Sequence, residues 1–191
     1  MSKKTEDTRA RLLVGALRVF AQHGFEGASM RQIAQHAGVA PGLAYHYFES
    51  KEAMLRSLLV DGAEKLQANF AEAAGITEPR LRIATLIRAA GRTIAENPEY
   101  FKLSAGLRAQ PRTVGGLASE FEQLQGALVE QWARWLGEAD CNDAVADAHL
   151  TIAALTGIAQ DAADSPDYPL EHVLERLIAR LLSPIASGVT P

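Results

Sequence analysis

Ser29-Met-Arg-Gln-Ile-Ala-Gln-His-Ala-Gly38-Val-Ala-Pro-Gly-Leu-Ala-Tyr-His-Tyr-Phe48 is the stretch that decides how this 191-residue chain is read. Ser29 is a good N-cap type, able to accept the orphan N–H groups of a helix start. Ile33, Ala34 and Ala37 then recur at helical spacing through His36. Gly38 supplies the left-handed residue through which a chain leaves one helix for another. A second short helix is expected from Ala40 to Tyr47, with Pro41 in its first turn, where an N–H would be unpaired anyway. Two short helices about a tight turn form a helix-turn-helix, with Ala34 small at the crossing and Val39 plugging the gap. Its second helix is of a size that fits the major groove.

Working outward, helical periodicity continues and no strand alternation is seen. Leu12, Leu13, Ala16, Leu17, Val19 and Phe20 form an apolar stripe on a helix from Thr8 to His23, stopped by Gly24. Ser50 caps a long helix reaching Gly75, with Met54, Leu55, Leu58, Leu59, Ala63, Leu66 and Phe70 on adjoining faces. Further helices are expected over 78–96, 99–109, 113–138, 142–163 and 169–186, punctuated by Asn97-Pro98, Gln110-Pro111 and Ser165-Pro166. The expectation is an all-α protein of about nine helices. Residues 1–50 form a helix-turn-helix domain and 51–191 a larger helical ligand-binding and dimerisation domain.

Composition narrows the function. Apolar residues make up 48% and charged residues 22%, the proportions of a globular protein with a buried core. A single cysteine, Cys141, excludes an internal disulfide and a cysteine zinc site. Acidic neighbours are expected to raise its pKa, which argues against a redox sensor. No apolar run reaches the roughly 20 residues of a membrane span, and the N-terminus lacks signal-peptide character, so a cytoplasmic protein with no membrane partner is expected. The net charge of −4 conceals a division. Residues 1–56 hold eight Lys/Arg against five Asp/Glu, and 57–191 hold eleven against eighteen. A basic head on an acidic body suggests that one end meets a polyanion.

The block Gly42-Leu-Ala-Tyr45-His46-Tyr47-Phe48-Glu-Ser-Lys51-Glu52 resembles the TetR family of bacterial transcriptional regulators. So do Ile33-Ala-Gln-His-Ala-Gly-Val39 and Phe20-Ala-Gln-His-Gly24-Phe25; the resemblance runs from residue 8 to about 58. It implies that Ser29, Tyr45, Tyr47 and Lys51 grip the DNA backbone, with Met30 joining through its N–H. Arg31, Gly42, Leu43 and Tyr45 would approach bases, Arg31 being suited to guanine O6 and N7. Tyr45, His46 and Tyr47 are consecutive and splay across a helix, so they cannot all be core. Phe48 is the core candidate, Tyr47 has a core alternative, and His46 either touches DNA or caps local structure. Two departures stand out. Ala40 replaces the hydroxyl residue often found there, and Leu43 replaces a polar reader, which shifts readout toward Arg31 and DNA shape.

Beyond about residue 55 there is no Gly-rich phosphate loop, no metal-spaced cluster and no Ser-His-Asp order. No catalytic residue, cofactor or metal is therefore assigned, and the chain is not expected to be an enzyme. The resemblance implies a helical pocket for a small, mainly apolar effector. Its candidate lining is Tyr100, Phe101, Leu103, Leu107, Phe121, Leu124, Leu128 and Trp132, with Arg92, Gln125 and His149 as polar anchors. The alternative for each aromatic is plain core. Ala148, Ile152, Leu155, Val173, Leu174, Leu177, Ile178 and Leu181 exceed what one helix face needs. They are expected to form half of a four-helix homodimer interface. The resulting expectation is a homodimeric repressor that binds double-stranded DNA at a palindromic operator and is released by a ligand. An activator shares every residue named, and a helical carrier or enzyme that lost DNA binding is the second class.

Overall fold

The computed structural model describes residues 3–109, 118–141 and 143–183. Nine helices and no strand occur among them: α1 (Lys3–Gly27), α2 (Met30–His36), α3 (Pro41–Tyr47), α4 (Lys51–Ala74), α5 (Pro79–Glu96), α6 (Pro98–Ala109), α7 (Ala118–Glu138), α8 (Ala144–Asp164) and α9 (Leu170–Leu181). The all-α expectation holds. None of the described helices is long and apolar enough to cross a membrane.

Helix boundaries follow local chemistry, and several differ from expectation for physical reasons. Helix α1 starts at Lys3 rather than Thr8, its first turns carrying Glu6 near the positive end of the dipole, where an acid is favoured. It bends at Gly24 (φ 69°, ψ 169°), where the sequence calls for a stop. Helix α5 ends at Glu96, before the Asn97-Pro98 punctuation as expected, and Pro79 and Pro98 stand as the first residues of α5 and α6, where a missing N–H costs nothing. At the head of α5 the Glu78 carboxylate accepts the N–H groups of Arg80 (3.0 Å) and Leu81. Helix α8 is capped by Asp143, whose carboxylate accepts the Ala146 N–H at 3.0 Å. Helix α9 stops at Leu181, short of the expected Ala186. The Ser183 hydroxyl donates to the Ala179 carbonyl, and Pro184 disfavours helix in the residue before it. Residues 113–117, expected to open α7, lie outside the described residues.

The chain divides into two compact units, residues 1–67 with 96–125 and residues 68–95 with 126–191. In the first, Leu12, Ala16, Val19 and Phe20 of α1 pack with Ile33 and Ala34 of α2, Ala44 of α3, Met54 and Leu55 of α4, and Leu103 and Leu107 of α6. Gly15 permits the closest approach: a Cβ there would stand 3.0 Å from the Ile33 carbonyl oxygen and 3.1 Å from the Ala37 nitrogen. In the second unit, Ile83, Leu86 and Ile87 of α5 pack with Trp132, Trp135 and Leu136 of α7, Ala148, Ile152 and Ile158 of α8, and Leu174 and Ile178 of α9. Phe70 meets both tryptophans edge-on, with ring centroids at 5.9 and 5.1 Å. Such contacts add directional preference to the area buried.

Candidate nucleic-acid interface

Helix α2 is set by its cap. The Ser29 hydroxyl accepts the Gln32 N–H at 3.3 Å and donates to Gln32 Oε1 at 2.6 Å. Ala37 and Gly38 (φ 63°) then turn the chain, closed by the Val39 N–H bonding to the Ala34 carbonyl at 2.9 Å. Helix α3 begins without a side-chain cap, since Ala40 has no oxygen to offer, and Pro41 opens it. Phe48 is extended (φ −139°, ψ 122°) and ends it. The expected helix-turn-helix is thus present residue for residue.

Burial separates the helix's two sides. Ala44 is fully buried and Phe48 is 5% exposed, with the Arg9 guanidinium 5.2 Å above its ring. These two anchor α3 to the core. Leu43 and Tyr45 are 41% and 56% exposed, and Gly42 and His46 are exposed beside them. A Cβ on Gly42 would meet nothing within 4 Å, so a base or phosphate can approach that backbone closely. Tyr47 is half-buried against the core and meets the His46 ring edge-on at 5.6 Å. It straddles the core and interface readings. Arg31 is exposed on α2. Met30 is buried, so its side chain belongs to the core and not to the exposed surface of α2.

Lys51 sits differently from a free phosphate ligand. Its ammonium donates to the carbonyls of Phe25 (2.9 Å), Ala28 (3.3 Å) and Glu26 (3.4 Å). It also stands 4.5 Å above the Phe25 ring. Next to it, Ser50 caps α4 by accepting the Ala53 N–H at 3.3 Å. A hydrogen bond from Ser50 also holds the Glu52 carboxyl below its ordinary pKa.

The candidate effector residues are divided between the units. Tyr100, Phe101, Leu103, Leu107, Leu124 and Gln125 belong to the first, and Arg92, Leu128, Trp132 and His149 to the second. Leu103 and Leu107 are buried in the first core and Trp132 in the second. Arg92 is exposed and paired with Glu72. His149 is exposed, and the side chain of Phe121 lies outside the described residues. Sequence reasoning missed Asn69, a buried polar side chain in α4 whose Oδ1 accepts the Thr93 hydroxyl at 3.0 Å. Its Nδ2 is buried without a partner among the described residues. The available signal was an asparagine, a poor helix former, inside the long helix and next to Phe70.

Among the candidate dimer residues, Ala148, Ile152, Leu174 and Ile178 are buried in the chain's own second core, while Leu155, Val173, Leu177 and Leu181 are partly buried at its edge. Helix α8 also exposes Ala146, Leu150, Ala153 and Gly157, an apolar and small-residue stripe at helical spacing. The Cys141 thiol is pushed up in pKa first by burial and then by Asp147, ahead of the loop neighbour Asp140 that the sequence pointed to.

Residues 12–58 match the family model described as bacterial regulatory proteins, tetR family. The HTH-type transcriptional regulator UidR of Escherichia coli K12 is 36% identical over 72 residues, which cover 38% of this chain and 37% of that protein. The match therefore spans little more than a third of that relative's length. Over nearly the whole chain the fold is similar to that of the fatty acid degradation regulator FadR from Bacillus halodurans. There the TM-score is 0.80 at 18% identity, covering 94% of this chain and 96% of that one. The structure of AibR in complex with isovaleryl coenzyme A and operator DNA is similar at a TM-score of 0.76 and 17% identity, covering 93% of this chain and all of that one.

Proposed function

We propose that this chain, whose residues 12–58 match the family model of bacterial regulatory proteins of the tetR family, is a DNA-binding transcriptional repressor. It acts as a homodimer on a palindromic operator and is released by a small, mainly apolar ligand. One observation carries the DNA-binding part. Helix α3 is pinned by Ala44 and Phe48 while Gly42, Leu43, Tyr45 and His46 stay in solvent on a groove-sized helix. Tyr45, the Ser29 hydroxyl and the N–H groups opening α2 address phosphates. Arg31 addresses a guanine edge.

A single reading helix contacts too few base pairs to select one site in a genome, so a second copy is needed. The exposed stripe Ala146, Leu150, Ala153 and Gly157, with the half-buried Leu155 and Leu177, supports an isologous contact. The effector reading draws on the ring cluster of Phe70, Trp132 and Trp135 with the neighbouring Asn69 amide. A buried donor without an acceptor costs about 1–3 kcal/mol, which an acceptor on a bound effector would offset. The structure of AibR holds isovaleryl coenzyme A together with operator DNA, so short branched acyl groups, the apolar part of such a molecule, are the first chemistry to test.

The test is selection of binding sites from a random-sequence duplex pool, followed by Arg31→Ala and Tyr45→Ala. Arg31→Ala should relax preference at one base pair, and Tyr45→Ala should weaken binding with melting unchanged. An enriched site bound equally well by both variants would remove these assignments. A pool with no enrichment would remove the repressor reading.

A further inference from the structure

Helix α3 reads Pro41-Gly-Leu-Ala-Tyr-His-Tyr47, and none of its seven residues carries a carboxylate, an amide, an ammonium or a guanidinium. Those are the groups that pair directionally with base edges in the major groove: Arg or Lys with guanine, Asn or Gln with adenine, Asp or Glu with the cytosine amine. Ala44 faces the core and is fully buried. Gly42 and His46, two residues either side of it, therefore project away from the core, with Leu43 and Tyr45 on their flanks. The Tyr45 hydroxyl is assigned above to phosphate. The two ring nitrogens of His46 point apart, so that ring cannot form a bidentate pair with one base.

Leu43 is 41% exposed and has neither donor nor acceptor on its side chain. Beside it, a Cβ added at Gly42 would meet nothing within 4 Å. The missing side chain lets the start of α3 approach the base pairs closely, which brings Leu43 to the groove floor. Only one apolar group is displayed on that floor, the C5-methyl of thymine. Set against an adenine or cytosine amine instead, leucine would leave a desolvated donor unpaired, which is unfavourable.

We infer that Leu43 is a specificity-determining residue that selects thymine by its methyl group, and that the operator carries thymine under the start of α3. The inference rests on the DNA-binding reading above and gives α3 a base contact of its own, while Arg31 on α2 keeps its guanine.

The experiment compares the full chain's affinity for a duplex enriched from a random pool with its affinity for the same duplex in which deoxyuridine replaces every thymine. That exchange removes the methyl groups and keeps every hydrogen-bonding group. Wild type should lose about fourfold for each methyl it buries, the worth of one carbon taken out of water. Equal affinity for the two duplexes would overturn the inference, and this arm needs no variant. Leu43→Ala alters an exposed position and leaves the core untouched. It should bind the thymine duplex about as weakly as wild type binds the deoxyuridine duplex, and lose little more when the methyls go. Losses that simply multiply would place the methyls against another residue and overturn the assignment to Leu43. At the pair where a single deoxyuridine costs most, cytosine should also weaken binding, and 5-methylcytosine should recover the methyl's share. No recovery would overturn methyl recognition. A pool without enrichment would remove the repressor reading and this inference with it, whereas an enriched duplex indifferent to deoxyuridine would remove this inference alone.

Discussion

The same substitution, Gly→Ala, should have opposite signs at two helical positions that look alike in sequence. At Gly126, inside α7, an added Cβ meets nothing within 4 Å, so alanine gains only helix propensity, about 0.5–1 kcal/mol. At Gly15, inside α1, the same Cβ would stand 3.0 Å from the Ile33 carbonyl oxygen, 3.1 Å from the Ala37 nitrogen and 3.3 Å from the Ala37 Cβ. Two of those three neighbours are backbone atoms of α2 and its turn, which cannot rotate away as a side chain can. Relief therefore requires α2 to shift, and overpacking of this kind costs about 1–3 kcal/mol. The propensity gain is common to both sites and cancels in the comparison. Gly15→Ala should therefore be less stable than Gly126→Ala by about 1–3 kcal/mol. Urea titrations followed by circular dichroism measure the difference directly. Equal stability, or a more stable Gly15→Ala, would refute the claim that the α1–α2 crossing is closed by backbone contact.

Three further outcomes are expected. Trp132→Ala, which empties a 3%-exposed site touching Phe70, should cost about 3–5 kcal/mol in urea melts; a loss below 1 kcal/mol would mean that the second core is not packed as described. Ser50→Ala should cost about 1 kcal/mol at neutral pH by removing the cap of α4. It should also return the Glu52 carboxyl toward its ordinary pKa. A carboxyl held low stabilises the fold above its unfolded pKa of about 4.3, and that contribution disappears as pH falls through the lower folded value. The deficit of Ser50→Ala should accordingly shrink between neutral and strongly acidic pH, and a deficit independent of pH would contradict the Ser50–Glu52 bond. The Cys141 thiol, raised by burial and by Asp147, should alkylate with iodoacetamide more slowly than free cysteine at pH 8; an equal rate would contradict its burial.

Much of this molecule can be read in its sequence because glycine, proline and capping residues stand where helices begin and end. Gly24 and Gly38 bend the chain with positive φ, and Ser29, Ser50 and Asp143 cap as their side chains allow. The unreadable parts are those decided by a neighbour distant in sequence. Gly15 and Gly126 differ only in what lies opposite them. The resemblance gives Lys51 a phosphate, yet in the free chain its partners are carbonyls 23 to 26 residues earlier. The apolar surplus of α8 and α9 is divided in a way that periodicity cannot supply. Ala148, Ile152, Leu174 and Ile178 are covered by the chain's own α5 and α7, whereas Leu150 is left at 65% exposure. Asn69 escaped notice because a single polar residue barely perturbs an apolar stripe; only its burial with an orphan donor marks it.

The central claim is that paired α3 helices read DNA from one face of the duplex. Hydroxyl-radical footprinting on a duplex enriched from a random pool tests it most directly. The account predicts protected patches related by two-fold symmetry, their centres separated by one helical turn of about 34–36 Å or a multiple of it. A single unpaired patch, or two whose spacing places them on opposite faces of the double helix, would contradict it.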